Sequence, residues 1–304
     1  MKIVTSGASY IDIDAYGGMV AYAELLQKQG EEALAVSTAP RNESITRTIK
    51  AWGSPLRDAY DPYPADTFTL IDTSDPKYID PIANISQIER VIDHHTGYEN
   101  FWKSRIGDGA EIEFIGAACT QVLEHWQKAG KVEEMSVLSA RLLLTGIIDN
   151  TLNFGAKVTT ERDHNAYDVL TKRAELDEAW PAAYFEECEE AVLADVAGAL
   201  GNDTKEIHFA GFDAPVAFGQ LVVWDASEVL KLHKPVITQV LSGRRSDWFI
   251  NLVSIGESHS HFVTDRAPVQ KWLASLLDIE FDGDTATADR LWLRKEVIKA
   301  AQDA

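Results

Sequence analysis

Cysteine is almost absent: only Cys119 and Cys188 occur in 304 residues. They lie far apart, with no Cys or His neighbour at metal-ligand spacing, which excludes a disulfide framework and a zinc knuckle. No stretch approaches the ~20 apolar residues that a membrane-spanning helix needs, so no membrane partner is expected. Positive charge is scarce as well, because 28 Lys and Arg stand against 48 Asp and Glu, a formal net charge of −20. A field of that sign repels phosphate backbones and anionic membranes at long range, so extended nucleic acid is not an expected partner. The opening MKIVTSGASYIDID carries no apolar h-region and no small-residue cleavage site, from which a cytoplasmic location is expected. Internal repeats and low-complexity tracts are also missing.

What is present is ordinary globular composition, 45% hydrophobic and 25% charged. A chain of 304 residues exceeds what one hydrophobic core comfortably holds, since single cores stop growing near ~250–300 residues. Two domains are therefore expected. Through the first part of the chain, short apolar β-rich runs alternate with helical patterns, which predicts α/β architecture: a doubly wound, mostly parallel sheet. Residues 2–5, 33–37, 68–72 and 90–93 read as strands, and helices are predicted from near Ala15, Ile45, Gly116 and Met135. An acidic, Ala-rich stretch over 181–201 reads as helix plus connector, and the boundary is placed there: domains at 1–190 and 191–304. The second, smaller domain is read as α/β, with strands at 217–223, 236–240, 248–254 and 260–263. A helix is expected at 268–277, and a charged helical tail from Ala288.

The strongest local signal is Asp93-His94-His95-Thr96-Gly97 after a strand. Adjacent residues on an extended segment point to opposite faces, so one imidazole is expected to bind a cation while the other reaches toward substrate. Asp12-Ile13-Asp14 follows the first strand and Gly7, with two carboxylates two residues apart and able to face one way. Asp72 ends a second strand, and Asp149 lies in Gly146-Ile147-Ile148-Asp149-Asn150. Each alone reads as readily as a helix cap or turn residue. Together they form a set of carboxylates with imidazole and no thiolate, which suits manganese, magnesium or cobalt. In open α/β sheets the crevice beyond the strands' carboxyl ends is where ligands bind. The acidic excess is read as a solubilising surface, with part of it as this carboxylate cage.

These residues resemble the DHH phosphoesterase superfamily, whose third motif stands here as Asp93-His94-His95. Gly7 through Asp14 is similar to the family's first motif, Asp72 to the second and Asp149 to the fourth. Gly116-Ala117-Ala118-Cys119-Thr120 and Thr159-Thr160-Glu161-Arg162-Asp163 resemble the segments that follow the third and fourth motifs. In the second domain, Asp203-Thr204-Lys205, Phe218-Gly219-Gln220 and Leu293-Arg294-Lys295 resemble the DHHA2 domain of family II inorganic pyrophosphatases and related exopolyphosphatases. The Gly-Gly-Gly-His element of the DHHA1 branch is missing, and Gly256-Glu257-Ser258-His259 is a poor substitute for it.

The resemblance implies an active site in the interdomain cleft and two divalent ions, manganese first, with magnesium or cobalt as alternatives. It implies Asp12, Asp14, Asp72, His94 and Asp149 as metal ligands, Asp72 bridging the ions, and His95 as a catalytic, substrate-contacting residue. Asp93 would orient an imidazole rather than bind metal. Lys205, Arg294 and Lys295 would hold the phosphate of a small phosphorylated substrate or polyphosphate; the alternative for Arg294 and Lys295 is a solvated basic helix end. Family members include edge-paired homodimers and monomers. Two departures stand out: Ala8 occupies the position of the pyrophosphatases' first-motif histidine, which asparagine fills in eukaryotic exopolyphosphatases, and Leu293 stands where they have serine. The implied activity is phosphoanhydride hydrolysis of pyrophosphate or polyphosphate. A catalytically degenerate protein that binds a phosphorylated ligand, or a small-nucleotide phosphatase, are the alternatives.

Overall fold

The computed structural model describes residues 1–303, which divide into two compact units: 1–154 with 158–181, and 155–157 with 182–304. In the first unit the strands are β1 (Lys2–Thr5), β2 (Ala33–Ala35), β3 (Thr67–Ile71), β4 (Ile88–Asp93) and β5 (Ala110–Ile112). The helices are α1 (Ile13–Lys28), α2 (Arg47–Ala51), α3 (Glu99–Ile106), α4 (Ala118–Lys128), α5 (Val137–Asn150) and α6 (Glu161–Ala174). The sheet is parallel throughout, in the order β2-β1-β3-β4-β5. The predicted strands are present, with ends moved by one or two residues; β5, three residues long and only partly buried, carries too little pattern to be read from sequence.

Parallel strands covered on both faces read as near-continuous apolar runs, as in the Thr67-Phe68-Thr69-Leu70-Ile71 of β3. Ile3, Phe68, Leu70, Ile88, Val91 and Trp102 form one buried cluster on this sheet. The order places β1 and β3 side by side while β2 lies beyond β1, so the chain leaves the sheet in opposite directions from these two neighbours. That is the topological switch at which α/β sheets open a crevice. Asp12 and Asp14 follow β1, Asp72 follows β3, and His94 follows β4.

The second unit holds α8 (Val196–Asn202), α9 (Lys234–Arg244), α10 (Ala267–Leu277) and α11 (Arg294–Asp303); the division between units falls within α7 (Trp180–Ala194). Its strands are β6 (Thr204–Ile207), β7 (Val216–Val223), β8 (Trp248–Ser254), β9 (His259–Val263), β10 (Phe281–Asp282) and β11 (Thr285–Ala288), in the order β10-β11-β9-β8-β7-β6. Only β7 and β8 run parallel, joined through α9; the remaining pairs are antiparallel. Successive residues of β8 serve opposite faces, Trp248, Ile250 and Leu252 packing with Leu200, Ile237 and Leu241, and Phe249 packing with Phe218, Phe262 and Leu273.

Two expectations are corrected here. Residues 236–240 are helix, not strand: Pro235 stands in the first turn of α9, and Ile237 and Leu241, four apart, bury one helical face that outweighs the β-branched run. Ala288 ends β11 rather than opening the tail helix, which starts at Arg294.

Candidate metal centre

Asp14 sits in the first turn of α1, fully buried. Its carboxylate accepts two amides at the start of α4, Ala118 N at 2.8 Å and Cys119 N at 2.7 Å. Even so, burial and the neighbouring charge of Asp12 outweigh these hydrogen bonds and push its carboxyl up to about 7. Asp12 and Asp14 are therefore close enough to repel, but not as side chains of one extended segment: Asp12 is the N-cap of α1, its Oδ1 accepting from Ala15 N at 3.0 Å. The capping reading and the site reading hold for the same residue.

Asp72 directly follows β3 with φ 57°, in the left-handed region that a non-glycine residue adopts at a cost. Its amide donates to Ile92 O at 2.9 Å, which keeps the turn beside β4. His94 Nε2 lies 3.1 Å from Asp72 Oδ1 and 3.7 Å from Asp14 Oδ2. His94 Nδ1 lies 2.9 Å from the carbonyl oxygen of Gly116. A carbonyl only accepts, so Nδ1 carries the proton in the neutral ring and Nε2 presents its lone pair to the carboxylates.

The expectation that His94 and His95 diverge is not met. His95 Nδ1 lies 3.6 Å from Asp72 Oδ1, and the two rings are edge to face at 4.5 Å. The reason is that β4 ends at Asp93, whose buried carboxylate accepts the amides of both His94 (2.8 Å) and His95 (3.1 Å) and folds the chain out of the extended form. The same Oδ1 lies 2.9 Å from His95 Nδ1. Burial opposes ionisation of Asp93, but the His95 charge and these hydrogen bonds hold its carboxyl below the ordinary range. His94 is buried, while the His95 side chain is 45% exposed.

One lone-pair nitrogen and carboxylate oxygens at 3.1–3.7 Å repel unless a cation or proton lies among them. Ligand atoms on one ion at ~2.0–2.2 Å stand about 3 Å apart, so the spacing fits a divalent cation. Asp72, His94 and His95 each offer a ligand atom within 4.8 Å of the others. Asp149 lies on α5 one turn beyond Gly146, on the face where a Cβ at 146 would stand 3.2 Å from Asp14 Cα and 3.3 Å from Asp14 Oδ1. Ala8 offers no ligand; its amide donates to Tyr78 O at 2.6 Å, which holds the loop after β1 against the segment after Asp72.

In the second unit Lys205 is exposed on β6, in register with Phe218 of β7. Arg294 is not a solvated helix end. It is 7% exposed and opens α11 at the end where the helix dipole disfavours cations; its Nη1 donates to Asp203 Oδ1 and its Nη2 to Asp203 O, both at 2.7 Å. Its backbone N donates to Gln220 Oε1 at 2.7 Å, and the guanidinium lies 5.3 Å from the Phe218 ring. Lys295 follows, partly exposed. Residues that pattern alone did not assign include Asp163, whose buried carboxylate meets Gly116; small residues at the start of α4 were the available signal.

No family model matches the chain. Among curated proteins, one from Deinococcus radiodurans named "Probable manganese-dependent inorganic pyrophosphatase" is 28% identical over 184 residues, 57% of this chain and 55% of that protein. The chain thus spans about half the length of that relative. A Streptococcus mutans protein of the same name is 24% identical over 86% of this chain and 85% of its own length. Among solved structures, one from Methanococcus jannaschii named for family II inorganic pyrophosphatase aligns with a TM-score of 0.73 at 18% identity, covering 99% of this chain and all of that one. An exopolyphosphatase-related protein from Bacteroides fragilis aligns at 0.50 and 14% identity, covering 99% of this chain and 90% of that one. The fold is that of these two structures.

Proposed function

We propose that this chain, which belongs to the DHH phosphoesterases on the branch of the family II pyrophosphatases, hydrolyses phosphoanhydride bonds of pyrophosphate or polyphosphate in a manganese-dependent reaction. The observation that carries this reading is the set of Asp14, Asp72 and His94 with donor atoms at 3.1–3.7 Å beyond the strand ends. Asp12 and Asp72 are assigned to one cation, and Asp14, Asp72, His94 and Asp149 to the other. Oxygen donors with an imidazole and no thiolate favour manganese, magnesium or cobalt over structural zinc, and manganese is the metal in the relatives' names. Bound there, two such ions would acidify a water and neutralise phosphate charge.

The protein's own side chains have separable tasks in this scheme. Asp93 anchors His95 Nδ1 and leaves Nε2 as the nitrogen turned to a phosphate oxygen. Gly116 O holds His94 Nδ1, so that Nε2 is the ligating atom. Phosphate holding by the second unit is assigned to Lys205, Arg294 and Lys295; Asp203 fixes the Arg294 fork. A second reading, a ligand-binding protein without turnover, is favoured by Ala8, which cannot supply the imidazole that pyrophosphatases carry there.

Phosphate release should be measured with pyrophosphate, tripolyphosphate, long polyphosphate and 3′-phosphoadenosine 5′-phosphate, each with manganese, magnesium and cobalt. The expected result is turnover of a phosphoanhydride substrate with manganese. Turnover of the nucleotide alone would make the protein a nucleotide phosphatase, and manganese binding without release from any substrate would make it the degenerate binder.

A further inference from the structure

Of two segments that the sequence singled out, Gly116–Thr120 holds His94 through the Gly116 carbonyl, while Thr159–Asp163 has no task in the reaction as described. The fold joins them. Asp163 stands in the first turn of α6, fully buried, and its carboxylate accepts four donors. Oδ2 accepts Thr160 N (2.7 Å), Thr160 Oγ1 (2.8 Å) and Gly116 N (3.2 Å), while Oδ1 accepts Thr120 Oγ1 (2.6 Å). The first two bonds are local to the start of α6, the one from Thr160 N being half of its capping box. The other two are not: they reach 43 and 47 residues back along the chain, to α4 and the residue that contacts the metal centre.

Gly116 uses both of its backbone groups. Its N–H is held by Asp163, and its carbonyl oxygen holds His94 Nδ1 at 2.9 Å. There is no room for a side chain between the two segments, since a Cβ at 116 would stand 2.6 Å from the Asp163 carboxyl carbon. We infer that Asp163 is a positioning residue for the metal centre: by fixing the peptide of Gly116 it sets the tautomer and the ring plane of His94. The inference rests on the reading of His94 as a metal ligand. Its physical basis is general, because the outer partner of a ligating imidazole decides which nitrogen carries the lone pair, and removing such a partner typically lowers metal affinity ~10–100-fold.

The test needs no turnover. Manganese affinity is measured by calorimetric titration, and the His94 tautomer by nitrogen-15 chemical shifts of the metal-free protein, for wild type and for D163A, D163N and T120V. The isosteric D163N keeps an oxygen for Gly116 and Thr160, so it should retain the Nδ1-protonated tautomer and an affinity within about threefold of wild type. T120V removes a bond to Asp163 at nearly constant volume without touching Gly116, so it reports what loss of that one hydrogen bond does and should also bind normally. D163A should lose about tenfold or more in affinity and show a mixture of His94 tautomers. If D163A does not fold, G116A perturbs the same contact from the other side and should give the same two changes. A folded D163A or G116A with wild-type affinity and an unmixed tautomer would overturn the inference, as would a T120V loss equal to that of D163A. Failure of wild type itself to bind manganese would instead overturn the reading of His94 as a ligand.

Discussion

Asp14 shows what burial does to a single carboxylate. Two helix-terminal amides are aimed at it, yet its carboxyl is pushed up to about 7 because desolvation and the Asp12 charge prevail. Carboxylates gathered this way repel one another until a cation joins them, so removing one should relax the metal-free protein while ending its chemistry. Asp72→Ala and Asp149→Ala are expected to lose more than the ~10–100-fold that removal of an outer-shell partner causes. Their melting temperatures in chelator should equal or exceed wild type, and thermal denaturation beside a phosphate-release assay checks both halves. Near-native turnover in either variant would end the two-ion assignment. Ala8 makes the complementary case. Without an imidazole there, the ion held by Asp12 and Asp72 should be the weaker of two, with activity following its occupancy. Ala8→His should tighten that ion and raise activity at limiting manganese; unchanged calorimetric affinities in a folded variant would show that this position does not face the ion.

Between elements, distance is set by what lies at the contact. Gly146 of α5 meets Cys119 of α4 and Asp14 of α1, and an added Cβ would stand 2.6 Å from the Cys119 Sγ. Overpacking of this kind costs about 1–3 kcal/mol, so Gly146→Ala should lower stability by that amount in urea denaturation. It should also weaken manganese binding, since Asp14 and Asp149 would be forced apart; full affinity would mean that α5 does not set the centre's geometry. In the second unit Lys234 at the start of α9 donates to Asp284 Oδ1 at 2.6 Å and to Thr285 Oγ1 at 2.8 Å, tying the helix to the β10–β11 turn. Burial opposes ionisation of Asp284, but Lys234 and Thr285 hold its carboxyl below the ordinary value. A folded value below the unfolded one means that stability is present above pH ~4 and lost as pH falls through the folded value. The Asp284 side chain is 45% exposed, so the effect is at most about 1 kcal/mol. Asp284→Asn should therefore be less stable than wild type at pH 7, with the two stabilities converging as the pH falls below the ordinary carboxylate range.

For the molecule as a whole, each of the two units has its own sheet and its own buried clusters, and the proposed cation ligands all belong to the first. An ion that binds only folded protein stabilises by mass action, about 2.7 kcal/mol at a hundred times its Kd. Calorimetry should show manganese raising the unfolding transition of the first unit and chelator returning it, with the second unit's transition unmoved. A uniform shift of all transitions would mean that the units unfold as one or that the ion's ligands are shared.

Much of this was present in the sequence. Apolar runs that end in or run straight into Asp or His marked β3 and β4, and Asp12 and Asp14 a short loop beyond β1 marked the same side of the sheet, because a parallel strand buried on both faces needs such a run and its exit needs polar residues. Asp72 and the Asp93-His94-His95 motif were legible for that reason, and the absence of thiolates limited the choice of metal. The sequence offered a helix cap as one reading of Asp12 but could not say that both imidazoles meet at Asp72, that residues 236–240 are helical or that Asp203 holds Arg294. Local β propensity at 236–240 is weak beside the burial of Ile237 and Leu241 on one helical face, a preference that exists only once there is a sheet to pack against. Pattern reports periodicity within about one element, whereas the tautomer of His94 is decided by a carbonyl 22 residues away, fixed in turn by a carboxylate 47 residues further on. Contacts at that separation become fixed only when burial brings the segments together, so the chemistry of the donors was written in the chain and their orientation was left to the tertiary fold.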